Sequence, residues 1–142
     1  MSGESIEIAA REPCTCAALR RAARAVTAAY DDALKPVGLR VTQFAVLRLL
    51  DRLGPMPVTR LAAEAALERT TMGRNLDPLE RRGLVRVAVG ADDGRERVVA
   101  LTDAGRAAIA AALPHWRTAQ ADIARRVEPA AVAALADALT AP

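Results

Sequence analysis

Along almost the whole chain the apolar residues recur every three or four positions, but in one place they recur every second position. Leu84-Val85-Arg86-Val87-Ala88-Val89 and Val98-Val99-Ala100-Leu101 read as two short strands. The link from Gly90 to Arg97 carries glycine and charge at its tip, so the two form a β-hairpin. The flanks read as helix. The expected class is therefore mainly α with a small β-hairpin.

The helical stretches are legible one by one. From Cys14 to Lys35, the residues Leu19, Ala23, Val26, Tyr30, Ala33 and Val37 form a single stripe, which Pro36 and Gly38 close. Thr42 suits the N-cap of a second helix whose face is Phe44, Leu47, Leu50 and Leu53. Gly54-Pro55-Met56-Pro57 breaks the chain. A short helix follows from Val58 to Ala66. Another starts near Glu68 to Thr70 and runs to Arg82, with Met72, Leu76 and Leu79 inward and Gly83 as its left-handed cap. Pro78 is expected to kink or loosen its last turns. After the hairpin, Thr102 caps a helix carrying Leu113, Trp116, Gln120, Ile123 and Val127, which Pro114 is expected to kink or divide. Pro129 opens a last helix bearing Val132, Leu135 and Leu139.

Composition narrows the function. The 142 residues suit one domain. Alanine (34) and arginine (19, against one lysine) are helix formers, whereas aromatic residues make up only 2%. That scarcity argues against a β-sandwich and against single-strand nucleic-acid binders, which stack bases on several rings. Net charge is +3 and the pI about 9.5, a modest pointer to nucleic acid. No stretch approaches the roughly 18 apolar residues of a membrane span, and residues 1–12 hold Glu4, Glu7 and Glu12 without an apolar core, so a secretory signal is not expected. The expected location is the cytoplasm. There Cys14 and Cys16 are free thiols rather than a structural disulfide. A single histidine, His115, supplies neither a histidine metal site nor a catalytic pair. No phosphate loop or nucleophile motif is visible, so neither an enzyme nor a cofactor is expected.

The order helix, helix, short helix, turn, short helix, hairpin is a winged helix-turn-helix. A helix fits the major groove of B-DNA and offers its N-terminal residues to base edges. With the apolar positions inward, Arg69, Thr70, Thr71, Arg74 and Asn75 are expected outward. Arginine can bond guanine bidentately, asparagine can do so with adenine, and a threonine methyl can touch that of thymine. The hairpin tip, with Asp93, Arg95 and Arg97, would lie by the adjacent minor groove. The outer helices carry more apolar stripe than the central part can bury, which predicts a two-fold homodimer reading an inverted repeat. The expected layout is a flexible arm at 1–13 and one domain at 14–142. Within it, 42–101 would bind DNA, while 14–37 and 102–140 would dimerise.

Two stretches resemble the MarR-type winged-helix regulators. One is Arg69-Thr70-Thr71, Arg74-Asn75-Leu76 and Leu79-Glu80-Arg81-Arg82-Gly83-Leu84-Val85. The other is Asp93-Gly94-Arg95 with Leu101-Thr102-Asp103-Ala104-Gly105. The resemblance covers roughly 14–139. It implies a homodimer on pseudo-palindromic double-stranded DNA, usually a repressor released by a small ligand or an oxidant, with Asp93 holding the wing. Cys16-Ala17-Ala18-Leu19 through Ala29-Tyr30 is similar to the first helix of the organic-hydroperoxide-sensing branch, where a cysteine at the place of Cys16 is the reactive one. The tyrosines of that branch are replaced here by Val41-Thr42-Gln43-Phe44, and Cys14 is the candidate second thiol. A thiol in a first helical turn has its thiolate favoured by the dipole, and Arg20 lies one turn on. The other inducer expected is a small organic ligand between the first, second and fifth helices, with Tyr30, Phe44 and Trp116 as candidate lining. A thiophilic-metal sensor using Cys14 and Cys16, and a helical interaction module without DNA, are the alternatives.

Overall fold

The computed structural model describes Gly3, Ile6, Glu7, residues 11–90 and residues 96–142. In chain order it contains α1 (Thr15–Leu34), a 3-10 turn (Lys35–Val37), α2 (Val41–Leu53), β1 (Met56–Pro57), α3 (Val58–Glu64), α4 (Arg69–Arg81), β2 (Val85–Val89), β3 (Arg97–Leu101), α5 (Asp103–Ala124) and α6 (Pro129–Thr140). In the stretch expected to be an arm, the described residues Gly3, Ile6, Glu7 and Arg11 are helical, and Arg11 pairs with Glu7 at 2.6 Å.

The expected hairpin is present, with Val85 opposite Leu101 and Val89 opposite Arg97. A third strand was not expected. Met56 pairs with Val99 and Pro57 with Val98, giving the antiparallel order β1-β3-β2. Two residues are too few to show a period, and prolines flank Met56, so sequence periodicity could not reveal β1. Met56 and Val99 are buried at 1% and 0% exposure, so this strand closes the core.

The core centres on α2. Phe44, Val46, Leu47 and Leu50 are buried against Leu34 of α1, Leu61 of α3, Met72, Leu76 and Leu79 of α4, and Ala112 of α5. At about 1.5–3 kcal/mol per large apolar side chain removed from water, this cluster is the main source of stability. Gly38 and Gly83 turn the chain with φ of +67° and +72°, a region open to glycine at little cost.

Two local expectations need correction. Thr42 is not the N-cap of α2. That position is Arg40, closed by a capping box in which Gln43 Oε1 accepts from the Arg40 amide at 3.0 Å. Pro114 does not divide α5, a continuous helix of 22 residues, and Pro78 likewise lies inside α4, which stays helical to Arg81. Each proline removes one backbone hydrogen bond, and tertiary packing of the helix on both sides outweighs that loss.

The hairpin is closed at its base by Thr102 and Gly105. Thr102 Oγ1 donates to the Gly83 carbonyl at 2.6 Å and accepts from the Gly105 amide at 3.0 Å, so one hydroxyl caps α5 and ties it to the end of α4. Gly105 lies so close to β2 that an added Cβ would stand 2.2 Å from the Leu84 carbonyl oxygen and 2.5 Å from Leu101 Cδ1. Gly105→Ala is therefore expected to destabilise the protein by about 1–3 kcal/mol. Gly73→Ala, where a Cβ meets nothing within 4 Å, should be neutral or stabilising by up to about 1 kcal/mol. Urea unfolding of both variants checks this contrast, and equal midpoints would contradict it.

Candidate nucleic-acid interface

α4 is thirteen residues long and divides cleanly by face. Met72, Asn75, Leu76 and Leu79 are buried, while Arg69, Thr70, Arg74, Asp77 and Arg81 are exposed and Thr71 is half-buried. Four of the five residues expected to face DNA thus lie on the open side. Asn75 does not. It is 9% exposed, its Nδ2 donates to the Thr71 carbonyl at 2.9 Å, and its Oδ1 accepts from Thr42 Oγ1 at 2.8 Å. The expectation that Asn75 reads adenine is therefore corrected. With both ends of its amide engaged inside the protein, it has no bidentate edge to offer a base. The spacing already held the clue, since positions 72, 75, 76 and 79 form one helical stripe.

The wing stands beside this helix. Arg97 is exposed at the start of β3. A cleft of about 150 Å³ separates it from α4, lined by Val58, Thr59, Arg69, Gly73, Glu96 and Arg97. Arg69 and Arg97, 28 positions apart in sequence, are thereby brought to one cleft. Glu80 Oε2 accepts from the Val87 amide at 3.2 Å and ties α4 to the base of the hairpin. Asp93 and Arg95 lie outside the described residues.

The three rings expected to line a pocket pack on one another. Trp116 stacks on Tyr30 at 6.3 Å between centroids and meets Phe44 at 6.1 Å. Phe44 is 1% exposed and belongs to the core. The Tyr30 hydroxyl donates to Gln120 Oε1, and burial pushes its ionisation above the ordinary phenol range, so it stays a donor. Open space lies on either side of this cluster. A groove of about 730 Å³ between α1, α5 and α6 is almost wholly apolar and includes Tyr30, Leu19, Val26, Val132, Leu135 and Leu139. A second cavity, of about 640 Å³, lies between α2, the end of α3 and α5. Leu49, Ile109 and Leu113 line it together with Arg48, Arg52 and Arg117, none of which was singled out from sequence. The Arg48 guanidinium sits 4.7 Å from the Trp116 ring centre and links cavity to cluster. Arginines scattered over two helices carry no spacing signal, so their convergence is visible only in the fold.

Cys14 and Cys16 are free and exposed at the start of α1. Arg20 Nη2 donates to Cys16 Sγ at 3.2 Å. Among the described residues, no three His, Cys, Asp or Glu side chains cluster as metal ligands, and no helix is long and apolar enough to cross a membrane.

Comparison with known proteins agrees with this geometry. The model of the MarR family matches residues 39–96, from just before α2 into the wing. The transcriptional regulator MosR of M. tuberculosis, solved in complex with DNA, is 42% identical, with a TM-score of 0.78 over 88% of this chain and 92% of that one. The transcriptional repressor CouR, solved on a 23-mer DNA duplex, is 30% identical, with a TM-score of 0.74 over 96% of this chain and 93% of its own. YwoH of Bacillus subtilis, described as an uncharacterized HTH-type transcriptional regulator, is 32% identical over 59% of this chain; the match spans 61% of YwoH. The exposed arginine face of α4, the adjoining wing and these relatives together establish that the chain belongs to the MarR family of DNA-binding transcriptional regulators.

Proposed function

We propose that the protein is a homodimeric repressor that binds a pseudo-palindromic operator and leaves it on a chemical signal. The carrying observation is the exposed face of α4, where Arg69, Thr70 and Arg74 stand free of the core beside Arg97 of the wing. Arg69, Arg74 and Arg97 can bond guanine edges or phosphates, and Thr70 and Thr71 offer hydroxyls and methyls at helix depth in the major groove. Asp93 and Arg95, which lie outside the described residues, are proposed as further DNA contacts. The relatives solved on DNA support this reading.

A second copy of the chain covers the apolar groove. Every residue of α6 is exposed, with Val132, Leu135 and Leu139 at 51%, 47% and 62%, and Leu19 and Val26 of α1 are open beside them. A helix this apolar and this uncovered needs a partner. A two-fold dimer places two copies of α4 about 34–36 Å apart, one DNA turn.

Two signals have structural support. The cavity that holds Arg48, Arg52 and Arg117 together with the carboxylates Asp51 and Glu64 suits a small organic ligand with a polar or charged group. Cys16 suits oxidation: its thiolate attacks an organic hydroperoxide, the O–O bond breaks, an alcohol departs and a sulfenic acid remains on the sulfur. Arg20 Nη2 lies 3.2 Å from the sulfur, and exposure admits the peroxide.

Four expectations follow. A duplex selected from a random library by the wild-type protein should be bound with an affinity that falls as roughly the −0.9 power of salt for each phosphate neutralised. Arg74→Ala should lower discrimination between matched and mismatched duplexes by about 1–3 kcal/mol without shifting the unfolding midpoint, whereas Arg97→Ala should weaken binding more evenly across sequences. Flat salt dependence, or unchanged discrimination in Arg74→Ala, would refute the DNA assignment. Leu135→Glu combined with Leu139→Glu should give a monomer in sedimentation, and a persisting dimer would place the interface elsewhere. Organic hydroperoxide should release DNA from wild type but not from Cys16→Ser; if wild type stays bound at full dose, the thiol is not the sensor and the arginine-lined cavity is left as the signal site.

A further inference from the structure

Gln43, in the first turn of α2, and Asn75, in the middle of α4, are the two buried polar side chains among the described residues. A buried amide is costly unless it is hydrogen-bonded; Gln43 is bonded through its oxygen and Asn75 through both ends. Gln43 closes the capping box on Arg40. Asn75 joins two helices that are 33 positions apart, through Thr42 Oγ1 at 2.8 Å, and grips its own helix through the Thr71 carbonyl at 2.9 Å. Thr71 is one of the residues on the DNA-facing turn, so this bond acts on the backbone of the reading surface itself.

The same junction holds α4 at its far end. Arg82, just beyond α4, donates from Nη1 to the Gly38 carbonyl at 2.7 Å and from Nη2 to the Val37 carbonyl at 3.3 Å. The junction is in turn tied back to α1, since Asp31 Oδ1 accepts from the Val41 amide at 2.8 Å. An unbroken set of side-chain hydrogen bonds therefore runs from α1, through the chain at 37–42, to the middle and the end of α4. Apolar packing of Met72, Leu76 and Leu79 keeps α4 on the core but tolerates sliding and rotation, because dispersion contacts are not directional. Hydrogen bonds are directional and fix the angle.

We propose that Thr42 and Asn75 are positioning residues for DNA reading: their hydrogen bond sets the rotation of α4 that aims Arg69, Thr70 and Arg74 at the base edges. This rests on the assignment of α4 as the DNA reader. It gives Thr42 a role in place of the N-cap, and Asn75 one in place of a base contact. A positioning role acts where geometry is read, so its loss should spare binding that uses only phosphates.

The experiment uses the full-length protein and two probes: the duplex selected from a random library by wild type, and a duplex of unselected sequence. Thr42→Val keeps the side-chain volume and removes the hydroxyl, leaving Asn75 Oδ1 without its partner. Expected is a loss on the order of tenfold on the selected duplex, with little change on the unselected one. Thr42→Ser, which restores the hydroxyl, should recover most of the affinity. In a double-mutant cycle the loss from Arg74→Ala should shrink in the Thr42→Val background, since a misaimed arginine has less to lose. The proposal is overturned if Thr42→Val binds the selected duplex as wild type does, loses equally on both duplexes, or is not rescued by serine. It is also overturned if the cycle is additive, the signature of a change in stability alone. If wild type selects no duplex at all, the DNA reading falls first. If Thr42→Val fails to fold, Arg82→Gln tests the second tether with the same two probes, and equal loss on both again overturns the proposal.

Discussion

The approach of Gly105 to the Leu84 carbonyl is the contact on which the rest of the arrangement depends. It lets α5 begin directly against the strand that follows the recognition helix, with Thr102 bonded to Gly83 at the same point. The end of α4, the root of the wing and the start of the longest helix thus meet within a few residues of one another. A side chain at position 105 would push α5 away from β2 and separate the wing from the helix it assists. The short Leu-Thr-x-x-Gly pattern is a packing requirement of this crossing, and the DNA-binding geometry is inherited from it.

From that crossing two kinds of force divide the molecule. Around α2 the forces are apolar and local, and they close a core with scarcely any polar atoms. Towards α1, α5 and α6 the apolar surface is left open, and a second copy of the chain is its proposed cover. The protein is therefore built as half of something, and the spacing of its two reading helices is a property of the pair. Between the two zones lies the polar junction at 37–43, where Arg40, Thr42, Gln43, Asn75 and Arg82 make directional bonds.

Arginine does several different jobs here. Arg69, Arg74 and Arg97 are exposed on α4 and the adjoining wing. Arg82 is a structural clamp on two carbonyls. Arg48 lies on an aromatic ring at the mouth of a cavity it shares with Arg52 and Arg117. The net charge of +3 therefore says little by itself, because the same residue type is distributed over contacts of unrelated purpose.

What the sequence by itself determined is whatever depends on short-range periodicity. Helices α1 to α6, the hairpin and the caps at Thr102 and Gly83 were legible because each rests on neighbours within about seven positions. The outward placement of Arg69, Thr70 and Arg74 followed from the same stripe. Tertiary structure decided what depends on a distant partner. β1 is a strand only because Val98 and Val99 lie beside it. Pro78 and Pro114 sit within continuous helices because packing outweighs one lost bond each. Asn75 was misassigned by residue type, although its place on the Met72–Leu79 stripe said inward. An asparagine is tolerated in a core only where bonds are waiting for it, and the one that matters came from Thr42, 33 residues away, which no local pattern can supply.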